Sequence, residues 1–339
     1  MKLCADNVMI IQNNKVLVQL ESLGDYWTNW HAVTRRILQA PSSYDIVLDK
    51  MHEGWSMKSS GAYDFIVKVL NRCGRSIDDV FIIDPNLEEK RLFKKNLETR
   101  TRSHFFDIAK NKYWQDLPEM QNSAARFGYF VGRATLPRML MFYHMQKYHW
   151  TEHFFASKLQ EIDVAISGPW NDQRFYLDRL QHWVDDPEDF LFWVKQCKIL
   201  SVDGFHNKDQ HASEHNTDLS LLRLSGNWHI ELVFETCTQG PSYMPTEKTV
   251  RPLVCEKPCV IYGPRGFLRN LRNQGFHTWG DIWDESYDDH EQKTRYDMIL
   301  SVINTLVSMT PQQFKHVMIQ AQIISQYNKK HLANMIEVV

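Results

Sequence analysis

Short apolar runs of four or five residues along this chain are separated by stretches in which apolar positions recur every three or four residues. That pattern predicts strands joined by helical crossovers, and hence a mainly parallel sheet. In the first third, Val16 to Leu20, Tyr44 to Leu48 and Val80 to Ile83 read as strands, with helices over 29–39 and 62–71 between them. In the second helix Ile66, Val67 and Leu70 share one face. Three strands with two crossovers make half of a Rossmann-like sheet.

From Leu87 to Asn122 the pattern weakens into charged and aromatic residues, as expected of an interdomain connection. A strand over Phe127–Val131 and an apolar helix around 139–145 open a second region. Residues 157 to about 198 read as helical and are followed by a His-rich polar loop. Alternation then resumes with a strand over Ile230–Phe234, a helix over 247–255, a strand over 258–262 and a helix over 267–274. A long helix over 312–336 ends the pattern. The expected fold is α/β, with two Rossmann-like domains facing a cleft: residues 1–120, residues 124–310, and a helix over 311–339 that packs back across the junction.

Composition narrows the function classes. At 339 residues, 43% hydrophobic and 24% charged, the chain suits about two domains of ~150 residues. Its longest apolar stretches, FGYFV and PCVIYG, fall far short of the ~18 residues of a membrane helix, so no membrane partner is expected. The start MKLCADNVMIIQNN places Asp6 before any apolar run, unlike a signal peptide, and a cytoplasmic location is expected. Six scattered Cys read as free thiols. A net charge of -2 gives no general attraction to polyanions.

The segment from Trp228 to Phe276 is the most informative. It reads as a strand, a loop of Gly, Pro, Ser and Tyr, a helix opened by Thr246-Glu247-Lys248, a strand, and a turn Gly263-Pro264-Arg265-Gly266 into another helix. The Thr246 hydroxyl can cap its helix, and Glu247 suits the positive end of the helix dipole. Both helix starts follow strands, the edge at which open α/β sheets bind ligands. Exposed amides there, with Lys248, Arg251 and Arg265 nearby, suit a diphosphate.

The run PTEKTVRPLVCEKPCVIYG, followed by a Leu-rich helix, GF and WDESYDDH, resembles the C-terminal half of glycosyltransferase-like proteins of bacteriophages and large viruses. It is also similar in layout to the Thr-Glu-Lys segment of fucosyltransferase and exostosin-like enzymes. The resemblance covers roughly residues 124 to 310 and implies a GT-B architecture, with acceptor domain first and nucleotide-sugar-binding domain second. It implies that Glu247 meets the donor ribose or sugar and that Lys248, Arg133 and Arg138 meet the pyrophosphate. The co-substrate is then a nucleoside diphosphate sugar such as a UDP-sugar, with no other cofactor required. The acceptor is a viral glycan or a hydroxymethylated base in phage DNA, and a viral protein would act in the host cytoplasm. Cys255 and Glu256 depart from the family, which usually has small residues or Gly there. An opposing class is a non-catalytic, virion-associated or binding protein that retains the transferase fold.

Sugar transfer with inversion needs a base for the acceptor hydroxyl. Asp25 follows the first strand, and His52 with Glu53 follows the second, each beside a Trp that suits stacking on a sugar ring. Ordinary loop acids explain these residues equally well. The acidic run 283–291 could ligate a hard cation, but a helix cap explains it too, and the resemblance gives Tyr287 and Asp288 a structural role. His149-Trp-Thr-Glu152-His153 and His211-Ala-Ser-Glu214-His215 match H-x-x-E-H; among 15 His, two matches point to chance more than to zinc. No metal is expected. The basic run 90–102 could contact nucleic acid, although Glu88, Glu89 and Glu98 dilute it.

Overall fold

A computed structural model describes residues 11–12, 15–20, 26–49, 57, 61–83, 92–96, 118–122, 124–131, 135–158, 180–196, 222–235, 238 and 243–337. The protein is a mixed α/β chain with two sheets whose neighbouring strands are parallel except for one pair. It divides into two compact units, Met1–Phe105 with Thr236–Met244, and Phe106–Glu235 with Pro245–Val339.

In the first unit β1 (Ile11–Gln12) pairs antiparallel with β2 (Lys15–Gln19). Strands β2, β3 (Asp45–Asp49), β4 (Val80–Ile83) and β5 (Lys95–Asn96) follow in parallel and in chain order. Helices α1 (Tyr26–Gln39) and α2 (Ala62–Arg72) make the crossovers and contact each other. Because side chains alternate across a strand, Val16, Val18, Ile46, Leu48, Val80 and Ile82 join Val33, Ile37, Ile66 and Leu70 in one buried cluster. On the other face, Phe81 lies beneath the ammonium groups of Lys15 and Lys95, at 5.3 and 5.5 Å from the ring centre. The Arg75 guanidinium gathers the carbonyls of Ala40, Pro41 and Tyr44 at the end of α1.

The second unit carries β6 (Ala125–Val131), β7 (Phe154–Lys158), β8 (Trp228–Phe234) and β9 (Cys259–Tyr262) in the order β7-β6-β8-β9, all parallel. The chain builds outward from β6 in one direction and then from β8 in the other, so the order reverses between β6 and β8. Helix α3 (Leu136–Lys147) links β6 to β7, and α4 (Pro187–Gln196) packs on it. Eight consecutive residues of α3, Arg138 to Met145, are buried, so this helix is enclosed rather than amphipathic. Helix α5 (Glu247–Val254) links β8 to β9, and α6 (Phe267–Asn273) follows β9. Helix α7 (Gln292–Ser308) meets α3 where the Tyr296 hydroxyl lies 2.9 Å from His144 Nδ1. Desolvation, helped by Lys147 and Lys293, pushes His144 down to about 4, so the imidazole is neutral there.

The terminal helix α8 (Pro311–Glu337) packs on α5. It buries Phe314, Met318, Ala321, Ser325, Asn328 and Leu332, spaced alternately by four and three. Glu256, just after α5, has φ 52°, the left-handed region in which glycine is at ease. Its carboxylate accepts from Lys329 at 2.7 Å, a compensation supplied by α8.

Several elements differ from the sequence expectations. Strands β1 and β5 were not expected, and β5 falls inside the stretch read as an interdomain connection. Strand β7 extends to Lys158, inside the region expected to be helical, because it pairs in parallel with β6 as far as Val131 and Lys158, while Phe154 stacks on Phe127 and Phe155 on Trp228. Helix α7 was not among the expected elements, although Tyr296, Ile299, Val302, Ile303 and Leu306 recur at helical spacing and are buried. No helix among the described residues is long and apolar enough to cross a membrane.

Trp228 is fully buried over Gly128, where an added Cβ would stand 2.5 Å from ring carbons of the indole. Gly128→Ala is therefore expected to destabilise the protein by about 1–3 kcal/mol through overpacking. Urea denaturation checks it, and an unchanged midpoint contradicts it.

Candidate switch-point site

In an open parallel sheet the strand connections on either side of an order reversal diverge to opposite faces and leave a crevice at the carboxyl ends. Here the reversal falls between β6 and β8, which pair in register through Tyr129 and Leu232. The residue that follows β8 is Glu235, only 2% exposed. Its Oε1 accepts from the backbone N–H of Thr246 at 3.0 Å and from the Thr249 hydroxyl at 2.5 Å. Its Oε2 accepts from the Thr246 hydroxyl at 2.6 Å. A carboxylate has capacity for all three, and each donor is otherwise an orphan of the helix start or a buried hydroxyl. The start of α5 is thereby fixed to the end of β8.

Thr246 caps α5, as its position in the sequence suggests: its Oγ1 accepts from the Lys248 backbone N–H at 3.4 Å. The Lys248 ammonium also reaches that oxygen at 3.4 Å and pairs with the Glu247 carboxylate. Burial works to raise the Glu247 carboxyl, but Lys248 and then Arg251 outweigh it and hold the group below its usual range. The Lys248 and Glu247 side chains keep 19% and 34% of their surface exposed. An ion pair on an exposed helix start can exchange its internal partner for a ligand.

Three residues expected to meet the diphosphate are placed otherwise. Arg138 is 4% exposed, and its Nη2 donates to the carbonyls of Phe234 at 2.8 Å and Glu235 at 3.0 Å. It braces the end of β8 from within. Arg251 points along β8, where its Nε donates to Glu231 at 2.7 Å and its Nη2 lies 2.5 Å from the same oxygen. It balances a fully buried carboxylate. The Gly263 turn is occupied as well: Arg295 donates to the Gly263 carbonyl, and the Asp288 carboxylate accepts from the N–H groups of Leu268 at 2.9 Å and Arg269 at 3.0 Å. The first amides of α6 therefore meet a carboxylate of the same chain. Arg265 is 57% exposed and lies 3.5 Å from Glu291. Thr246, Glu247 and Lys248 are the expected residues that the structure brings to the switch point. Arg133, Asp25, His52 and Glu53 lie outside the described residues, as do the second H-x-x-E-H segment and most of the basic run.

The acidic run 283–291 serves local structure, as the resemblance implies for Asp288. Asp284 accepts from the Ser286 N–H at 2.8 Å, and Asp289 lies 3.5 Å from Arg269. His149 is exposed in the left-handed region and Glu152 and His153 sit in a single 3₁₀ turn, so H-x-x-E-H does not share a helix face. Among the described residues no group of three or more His, Cys, Asp or Glu is placed to hold a metal ion. A surface cavity of about 330 Å³ lined by Ile282, Trp283, Met298 and Leu306 shares no residue with the switch point.

Glu285 accepts from the Trp279 N–H at 2.8 Å and from Arg272 at 3.3 Å. Burial dominates and pushes its carboxyl up from 4.5 to about 7. A carboxyl raised on folding favours the fold most while protonated, so its contribution is complete below about pH 4.5 and lost as pH rises through 7. Between pH 4.5 and 8 the wild type is expected to lose about 2–3 kcal/mol more stability than Glu285→Gln. Parallel stability profiles from denaturant titrations would show that Glu285 is not the group responsible.

Compared with protein-family models, curated proteins and solved structures, the chain matches none.

Proposed function

We propose that the second unit binds a nucleoside diphosphate sugar at its switch point and that the protein is a glycosyltransferase of the two-domain GT-B type. The observation that carries this reading is the placement of the partly exposed Glu247–Lys248 pair on the helix start that follows β8 at the switch point. A cation suits a diphosphate, and an acidic side chain suits a ribose or sugar hydroxyl. The placement supports binding of the donor; the transfer itself rests on the ordered likeness to sugar transferases.

In this reading Arg138 acts through the β8 terminus rather than on the ligand, and Lys248 is the principal cation. The acceptor base comes from the segments that follow β2 and β3 in sequence, strands that pair in parallel up to Gln19 and Asp49. Asp25, His52 and Glu53 are the residues concerned. The acceptor is a glycan hydroxyl or the hydroxyl of a hydroxymethylated base. A thermal-shift screen with nucleoside diphosphates and their sugars tests donor binding, because a ligand of the native state raises its stability by mass action. A stabilising donor should then release free nucleoside diphosphate when an acceptor is supplied. Stabilisation without any release would favour the opposing reading, a binding protein.

A further inference from the structure

We infer that Glu235 is the positioning residue of this site, setting the direction of the Thr246 hydroxyl and, through it, the seat of the Lys248 ammonium. The inference rests on the donor-site reading and adds a residue to it. The Thr246 N–H and the Thr249 hydroxyl donate to Glu235 Oε1, and the Thr246 hydroxyl donates to Oε2, 2.6 Å away, so Glu235 accepts at both oxygens. The lone pairs of Thr246 Oγ1 then face the Lys248 backbone N–H and the Lys248 ammonium, both at 3.4 Å. Glu235 Oε1 holds the Thr246 N–H and the Thr249 hydroxyl, which stops the first turn of α5 from rotating about that contact. Arg138 secures the other side, since its bonds to the Phe234 and Glu235 carbonyls fix the backbone from which the carboxylate projects.

The chain Glu235–Thr246–Lys248 has a polarity that depends on Glu235 accepting at both of its oxygens. A Gln of the same shape presents an NH₂ group to at least one of three donors. The Thr246 hydroxyl must then turn its proton away from residue 235, toward the Lys248 N–H and ammonium, where it opposes two donors. Lys248 loses the Thr246 acceptor while keeping its pair with Glu247, even though no side chain has been shortened. Glu235 touches no ligand in this account.

The test pairs Glu235→Gln with Lys248→Ala in a double-mutant cycle, read by calorimetric affinity for UDP and the other nucleoside diphosphates. Glu235→Gln alone should weaken binding by about 10-fold or more, and should add almost nothing in the Lys248→Ala background. Equal losses in both backgrounds, or no loss, overturn the inference. A second arm needs no ligand: competitive acetylation of the free protein, followed by mass spectrometry. Lys248 should acetylate faster in Glu235→Gln while Lys315 and Lys330 keep their rates; an unchanged Lys248 rate overturns the inference. If Glu235→Gln folds poorly, Thr246→Ser should keep wild-type affinity and Lys248 reactivity while Thr246→Val binds more weakly and acetylates faster at Lys248; equal behaviour of the two overturns it. Wild-type protein that binds no nucleoside diphosphate sinks the donor-site reading, and the acetylation arm still decides the role of Glu235.

Discussion

Arg251→Met, with Glu231 left in place, is expected to destabilise the protein by about 3–5 kcal/mol, the largest effect of any single change considered. Glu231 has no exposed surface, and burial already pushes its carboxyl above the usual range against the pull of Arg251. One of its oxygens takes the Arg251 guanidinium, and the other has no hydrogen-bond partner among the described residues. Removing the cation leaves a buried charge that must either protonate or draw water into a sheet packed with Trp228 and Phe130. Replacing both partners with apolar residues of similar volume should recover most of the loss, because the desolvation cost disappears with the charges. Equilibrium denaturation of the two variants checks this. A loss below about 1 kcal/mol for Arg251→Met would mean that the pair behaves like a surface salt bridge.

Lys248→Ala is expected to weaken nucleoside diphosphate binding by about 1.5–3 kcal/mol, the range of a charge-assisted hydrogen bond. The melting temperature should fall modestly, because Glu247 keeps part of its surface exposed but loses the cation that offsets its burial. Arg265→Ala should have a much smaller effect, since Arg265 is exposed and faces Glu291. Calorimetric titration of the three proteins separates these contributions. Equal affinity in wild type and Lys248→Ala removes Lys248 from the site.

Much of the architecture could be read from local pattern because parallel strands are buried on both faces and appear as short apolar runs. CVIY is of this kind, whereas VFII is fully buried on one face only, and both strands fall where the runs do. Strand β7 was missed for the complementary reason: FFASK is apolar at one end only, and its strand state comes from pairing with β6. The Thr246 cap was legible because capping is a contact within one turn. Glu235 was not, since its three donors lie 11 to 14 residues away and meet it only after β8 and α5 have been laid side by side. Its one trace in the sequence is an acidic residue closing a buried apolar strand.

The cations show the reverse case. Arg251 lies near the helix start in sequence and Arg138 was assigned by the resemblance, and both instead hold internal partners. A Glu inside the apolar run WHIELVF was the available warning, because a carboxylate in a central strand needs a buried partner. Residue type and spacing identify which segments approach a crevice, whereas the direction of a long side chain is decided by what else is buried beside it.

Hydrogen–deuterium exchange of the wild-type protein, with and without saturating nucleoside diphosphate, tests the central claim most directly. The account predicts added protection in peptides covering residue 235 and residues 246–250, where the end of β8 and the start of α5 form the site. Bound ligand that protects other segments and leaves these two unchanged would contradict it.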